Sequence, residues 1–107
     1  MAVRINSLSK EYVRVEVRAK LAGAVVNVST DVVEMAFPAA KVDPVSGDWK
    51  TATWEVDTTT DPDRYFARCL VGTGGTVSLA DGLYDVWVRV TDSPEMPVKK
   101  AGQLVVF

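Results

Sequence analysis

Alternation of polar and apolar residues at every second position is the feature that most limits how this chain can fold. It is clearest over residues 12–18, where Val13, Val15 and Val17 alternate with charged side chains. Successive side chains of a β-strand point to opposite faces, so the three valines share one face. A helix would scatter them around its circumference, and β-branched residues disfavour a helix. The segment therefore predicts a strand that is buried on one face.

The same signal recurs along the chain, with turn residues between the segments. Further strands are predicted over residues 25–28, 32–37, 49–57, 65–71, 76–79, 83–91 and 98–107. No ten-residue segment carries an apolar stripe of helical period. Seven or eight short strands in 107 residues predict a single all-β domain over residues 1–107, a sandwich or a barrel.

A tyrosine directly after a turn favours an immunoglobulin-like β-sandwich of seven to eight antiparallel strands. Tyr84 begins an alternating strand and resembles the tyrosine corner of that fold, whose hydroxyl bonds to the backbone a few residues upstream. The alternative is an ordinary strand aromatic. Val86 occupies the position of the second bridge cysteine of antibody domains, and Trp54 is a candidate for the buried tryptophan. Cys69 is the only cysteine, so packing alone must hold the domain.

Strand parity divides the aromatic residues between a core and a surface. The residues predicted to face the core are Trp54, Tyr84, Val86 and Val88, together with Ala52, Val56 and Val90. Trp49, Trp87 and Arg89 then point outward, and they would share one surface if their two strands are neighbours in one sheet. Tryptophan and arginine are common anchors of protein interfaces. The alternative is that loops or termini cover them, or that a bulge reverses the parity.

Composition excludes several classes of function. The chain has no histidine, which removes imidazole metal ligands and histidine general bases. Its net charge of −2 and the lack of a Lys/Arg stripe give no reason to expect a nucleic-acid partner. No run is long and apolar enough to span a membrane, and the start lacks a secretory signal, so we expect a soluble protein made in the cytoplasm. We expect no enzymatic activity, no catalytic residues, no metal and no cofactor.

Three local features have a functional interpretation that is weaker than the ordinary one. The glycine-rich segment 72–75 lies between strands, so it predicts a hairpin loop rather than a phosphate-binding loop. Asp57, Asp61 and Asp63 do not have the spacing of a calcium loop and predict a solvated turn. Cys69 lies in an apolar strand without a basic neighbour that would lower its pKa, which predicts an inert buried thiol.

Four segments and one dipeptide form a distinctive set: residues 9–15 (SKEYVRV), 48–55 (DWKTATWE), 65–72 (YFARCLVG), 82–95 (GLYDVWVRVTDSPE) and Ala101-Gly102. Together they resemble a family of small proteins encoded among the head and tail genes of tailed phages and prophages of actinobacteria. The Gly-x-Tyr-x-Val-x-Val strand is also similar to that of the immunoglobulin-like amino-terminal domain of phage baseplate upper proteins. The first resemblance implies a non-enzymatic structural protein located in the virion, and it transfers no catalytic residue.

We therefore expect a head accessory protein that decorates or cements the capsid by binding the major capsid protein. The alternatives are a head–tail connector or a minor tail or baseplate component and, from another class, a carbohydrate- or host-surface-binding module that stacks sugars on Trp49 and Trp87. Self-association in a symmetric, multi-copy assembly is also expected, because it multiplies weak contacts. The segments Glu11–Arg18 and Gln103–Phe107 are candidate edge strands for docking.

Overall fold

The computed structural model describes residues 2–18, 20–21, 24–25, 27–91 and 96–107, and their regular structure is β throughout apart from one short 3₁₀ turn, Ser46–Asp48. The strands are β1 (Ala2–Ile5), β2 (Glu11–Val17), β3 (Lys20–Leu21), β4 (Ala24–Val25), β5 (Val32–Ala36), β6 (Lys50–Thr51), β7 (Thr53–Asp57), β8 (Arg64–Val71), β9 (Gly82–Thr91) and β10 (Val98–Val106). Within the described residues there is no helix of the length and hydropathy that crossing a membrane requires.

Two sheets face each other across one core. One sheet has the strand order β2-β8-β7, and the other, curled like a half-barrel, has the order β1-β10-β9-β5-β6. β3 and β4 form a separate hairpin. Among the described strands β1 and β10 pair in parallel, and the other pairs are antiparallel. Both sheets contribute buried side chains to the core, which contains Val13, Val15, Ala67, Cys69, Val33, Met35, Val86, Val88, Leu104 and Val106.

The strand predicted over residues 49–57 is divided between the two sheets. β6 pairs with β5, whereas β7 pairs with β8 in the opposite sheet, and the buried Ala52 lies at the crossover. As a consequence β5 stands between β6 and β9, so the expectation that the Trp49 and Tyr84 strands are neighbours is wrong. Alternation continues through the crossover, which is why the pattern could not reveal it.

The two candidate edge strands differ in their outcome. β2 does lie at the edge of its sheet. The prediction for Gln103–Phe107 is wrong, because residues Gln103–Val106 of β10 pair with β1 on one side and β9 on the other.

Three further strands differ from the sequence-based predictions. The alternating pattern of β1 is too short to predict a strand. The strand expected over residues 76–79 is reduced to one bridge between Val71 and Val77. Of the strand expected over residues 25–28, Val25 belongs to β4, and residue 26 lies outside the described residues.

The hydrogen bond of a tyrosine corner is confirmed. The Tyr84 hydroxyl donates to the backbone oxygen of Ala80 at 2.7 Å. Gly82 lies between them, and its φ of +156° is a backbone conformation that favours glycine. Two residues further on, Val86 is completely buried in the core. The corner thus ties the start of β9 to the preceding turn.

Trp54 and Val56 lie on β7, which is an edge strand of the three-stranded sheet and is not a neighbour of β9. Trp54 is partly buried against the core, and its indole N–H donates to the backbone oxygen of Asp31 at 2.8 Å. Val56 was expected to face the core but is 39% exposed. An edge strand is covered by neighbours on one side only, so strand parity overestimates burial there.

Candidate functional site

The outer face of the five-stranded sheet brings the predicted surface residues together in rows. Strand register places Glu34 opposite Arg89, and Arg89 opposite Val98 on β10. The adjacent row has Ala36 opposite Trp87, and Trp87 opposite Lys100. Trp49 immediately precedes β6, so the β6–β5 register brings it level with the same face. Strand pairing therefore assembles residues that are distant in sequence, such as Glu34 and Arg89, which are 55 positions apart.

Arg89 is held between an aromatic ring and a carboxylate. Its guanidinium carbon lies 4.5 Å from the centroid of the Trp49 ring, and its Nε donates to Oε1 of Glu34 at 2.9 Å. The Arg89 and Glu34 side chains are only 21% and 25% exposed, so the pair is partly shielded from water. A guanidinium over an indole face is attracted by the ring quadrupole. Together these contacts fix the Arg89 side chain in one orientation.

Trp87 is half-buried on the same face. Its indole nitrogen is shielded from solvent and has no hydrogen-bond partner within the described part of the chain. Beside it Ala36 has no exposed surface although it also lies on the outer face. The small alanine side chain between two tryptophan positions leaves room for the indoles to lie against the sheet. The Trp87 side chain is therefore partly packed against the sheet and partly exposed at its surface.

Exposed valines complete an apolar border around these residues. Val32 is 62% exposed and Val98 is 48% exposed, and both lie on the outward face of their strands, next to Thr91 and Arg89 respectively. We refer to Val32, Trp49, Trp87, Arg89 and Val98 as the Trp49–Arg89 patch. Sequence analysis found its three anchors but missed both valines and Glu34. The alternation of Val33 and Met35 with their neighbours contained the signal that Glu34 faces outward.

A buried carboxylate lies next to the patch. Asp85 is 1% exposed, and its Oδ2 accepts a hydrogen bond from the backbone N–H of Lys41 at 2.8 Å and lies 3.2 Å from Nζ of Lys100. The Lys41 N–H holds the pKa of Asp85 below its ordinary value, burial opposes this, and Lys100 assists it. The hydrogen bond from Lys41 ties the loop after β5 to β9, and the ion pair with Lys100 joins β9 to β10.

The outer face of the three-stranded sheet has a different chemistry. Phe66 lies on this face but is only 8% exposed, because the guanidiniums of Arg14 and Arg64 cover its ring at 4.6 and 5.1 Å. Arg64 also binds both carboxylate oxygens of Glu16 at 3.1 Å, which lowers the pKa of Glu16. Arg14 pairs with Glu55 at 2.9 Å. Ion pairs between strands of this sheet therefore cover the aromatic ring on this face, and the Arg14 side chain remains 49% exposed.

Each of the three weaker features has a structural explanation. Gly72 and Gly75 allow close backbone packing, since a Cβ would come within 2.3 Å of the Ser9 oxygen and 2.6 Å of the Leu70 oxygen. Asp57 accepts hydrogen bonds from the hydroxyl and backbone N–H of Thr59, which lower its pKa. Among the described residues, no three Cys, Asp or Glu side chains gather in a way that could hold a metal ion.

Cys69 is a buried core residue. Its side chain is 2% exposed, and its Sγ lies 3.6 Å from the backbone oxygen of Thr51. Burial raises the pKa of the thiol to about 11. A thiol with so high a pKa is a poor nucleophile at neutral pH.

An apolar groove of about 540 Å³ runs between the two sheets, on the side where the described residues pair no further strand with β2 or with the first half of β10. It lies between the second half of β2 and the first half of β10, and its apolar lining is Val15, Val17, Val28, Val88, Val90, Pro97 and Ala101. Glu16, Arg18, Asp31 and Lys99 contribute the polar lining.

Comparison with protein-family models, with curated proteins and with solved structures found no match to this chain.

Proposed function

We propose that this chain is a non-enzymatic structural protein of a phage virion, and that it decorates or cements the head by binding the major capsid protein. The assignment to a virion rests on the sequence resemblance described above. The observation that supports a binding role is the Trp49–Arg89 patch, which combines two half-buried tryptophans, a fixed arginine and two exposed valines. We assign capsid binding to this patch.

We further propose that the fold is an immunoglobulin-like sandwich. In chain order, β2, β5, β6, β7, β8, β9 and β10 would correspond to strands B, C, C′, D, E, F and G. The pairing β2-β8-β7 opposite β10-β9-β5-β6 matches the B-E-D and G-F-C-C′ sheets of the variable type. The tyrosine corner at Tyr84 supports the same correspondence. Strand C would then be β5, so the buried Met35 takes the place expected for Trp54.

The Trp49–Arg89 patch has the physical character of a protein-binding site of moderate affinity. Aromatic side chains and arginine form the energetic centre of many interfaces, and the rigid aromatic rings bury large areas at a small cost in conformational entropy. Arg89 is already held by Trp49 and Glu34, so little side-chain freedom is lost when a partner docks. Many weak contacts on a symmetric shell would sum to stable attachment.

Co-sedimentation with empty heads, and separately with isolated tails, of the phage that encodes the chain tests this proposal. We expect saturable binding to heads, weakened at least about tenfold by Trp87→Ala or Trp49→Ala, since removing a hot-spot anchor costs about 2 kcal/mol or more. Val56→Ala, an exposed apolar change on the other sheet, is the control and should bind normally. Thermal melts must show that the tryptophan variants remain folded.

Other outcomes of this experiment support the alternatives. Binding to tails alone would indicate a connector, tail or baseplate component with the same fold. Binding to neither, followed by tryptophan-dependent binding on a glycan array, would indicate a carbohydrate-binding module. Arg89 already covers one face of Trp49, which leaves less of that ring for stacking on a sugar. Unfolding of Trp87→Ala would place Trp87 in the core and remove it from the patch.

A further inference from the structure

Within the described part of the chain, β2 forms a regular edge of its sheet. β2 pairs with β8 in continuous register from Glu11 to Val17, and the described residues place no strand on its other side. Its outward side chains are well exposed at Tyr12 (48%) and Arg14 (49%). An unbulged edge strand presents a row of unpaired backbone groups to a further strand.

The first half of β10, across the groove from β2, is by contrast protected against pairing with a strand of another chain. β1 covers β10 only from Gln103 onward, which leaves Val98–Gly102 with β9 as their one described neighbour. A register shift between Lys100 and Gly102 interrupts this stretch, and Lys99 and Lys100 carry charge along it. Bulges and lysines are the usual means by which proteins block an edge. Strand addition is therefore expected at β2 rather than at β10.

The charge pattern of β2 is complementary to itself. If two copies run antiparallel about a two-fold axis at Val15, then Arg14 of each copy stands opposite Glu16 of the other, and Val13 stands opposite Val17. Tyr12 stands opposite Arg18, a combination already seen within the chain, where Arg68 lies 4.3 Å from the Tyr12 ring. Directly opposed unlike charges and aromatic pairs stabilise neighbouring strands.

Other registers are less favourable for this sequence. An axis at Arg14 would place the two Arg14 side chains opposite each other, and an axis at Glu16 would do the same for Glu16. An axis at Val13 would place Arg14 opposite Tyr12 and Glu16 opposite Lys10, so its ion pair would use Lys10, which lies before β2. Only the axis at Val15 forms an ion pair from two residues within β2, Arg14 and Glu16.

We propose that β2 pairs antiparallel with β2 of a second copy of this chain, about a two-fold axis at Val15, so that the two three-stranded sheets become one continuous sheet. The partner strand would lie along the mouth of the apolar groove and remove the partly exposed Val17 from water. The Trp49–Arg89 patch lies on the opposite sheet, so dimer formation does not depend on which protein that patch binds.

The expected dimer is weak by itself. β2 contributes seven residues, and its ladder buries less than the roughly 1,200–2,000 Å² of a stable complex. Weak pairing suits a chain present in many copies, because simultaneous attachment to one shell raises the effective concentration of neighbours. Association should therefore depend strongly on protein concentration.

Sedimentation velocity over a wide range of concentrations, with purified protein alone, tests the pairing. We expect the native chain to dimerise, and Arg14→Glu or Glu16→Arg to weaken dimerisation about tenfold or more, because each change opposes like charges at two symmetry-related positions. A mixture of the two variants should form a one-to-one dimer, and the double exchange R14E/E16R should restore self-association. Glu55→Arg is the control: it reverses a charge on the same face and breaks the Arg14–Glu55 pair, but lies on β7, away from this edge.

Cysteine cross-linking gives a second test that does not depend on reversing charges. Directly opposite residues on paired strands are close enough for a disulfide. A mixture of Arg14→Cys and Glu16→Cys proteins should therefore cross-link on mild oxidation far more than either protein alone. The buried Cys69 is present in all samples. A monomeric native chain at every concentration, single variants that dimerise normally, or a mixture no better than its components would each overturn the proposed pairing.

Discussion

Tyr84→Phe isolates the contribution of the tyrosine corner, since it removes one oxygen atom and leaves the ring in place. The lost interaction is the 2.7 Å hydrogen bond to the Ala80 oxygen. A net hydrogen bond contributes about 0.5–1.5 kcal/mol, so we expect the free energy of unfolding to fall by about 1 kcal/mol. For a domain of about 100 residues this lowers Tm by roughly 4–8 °C. With a urea m-value of about 1–3 kcal/mol/M, the unfolding midpoint should fall by about 0.3–1 M.

Tyr12→Phe provides the matched control for this measurement. Tyr12 is 48% exposed, and its ring is stacked by Arg68, but its hydroxyl makes no hydrogen bond within the described residues. Its removal should change the free energy of unfolding by less than about 0.5 kcal/mol. Equal midpoints for the two variants, with unchanged m-values, would refute the argument that the corner bond stabilises the start of β9.

Two further predictions concern titratable groups. With a thiol pKa of about 11, Cys69 should react with a thiol reagent at pH 8 at least about a hundredfold more slowly in the native protein than in urea, because burial limits both access and thiolate formation; equal rates would contradict this. The lowered pKa of Asp85 means that its contribution to stability is present above the unfolded-state value of about 3.9 and is lost as pH falls through the folded-state value. Urea midpoints measured across this range should therefore decline more steeply with acidification for the native chain than for Asp85→Asn, and parallel profiles would assign the pH dependence to other carboxylates.

The two proposed contacts would use separate parts of the molecule. The Trp49–Arg89 patch belongs to the five-stranded sheet, and the pairing edge belongs to the three-stranded sheet. One copy could then hold the capsid and a neighbouring copy at the same time. Dimerisation can be measured without heads, and head binding can be measured with the Arg14→Glu variant, in which dimerisation is weakened. Each contact is then tested separately from the other.

Much of the local structure was predictable because strand alternation is a property of neighbouring residues. Val13 and Val15 are buried and Arg14 and Glu16 face outward, as the period of two requires. Val86, Val88 and Val90 face the core in the same way. The hydrogen bond of Tyr84 was also predictable, because it spans four residues and depends on a local turn.

The sequence by itself determined that this chain is all-β, where most of its strands lie and which side chains point inward, since these follow from local sterics and from the removal of apolar surface from water. Only the tertiary structure decided which strands are neighbours. It divided residues 49–57 between two sheets, enclosed the second half of β10 between β1 and β9, and brought Glu34 and Trp49 to Arg89. Strand order depends on long-range pairing and packing, to which distant segments contribute together, so no periodic pattern in one segment encodes it.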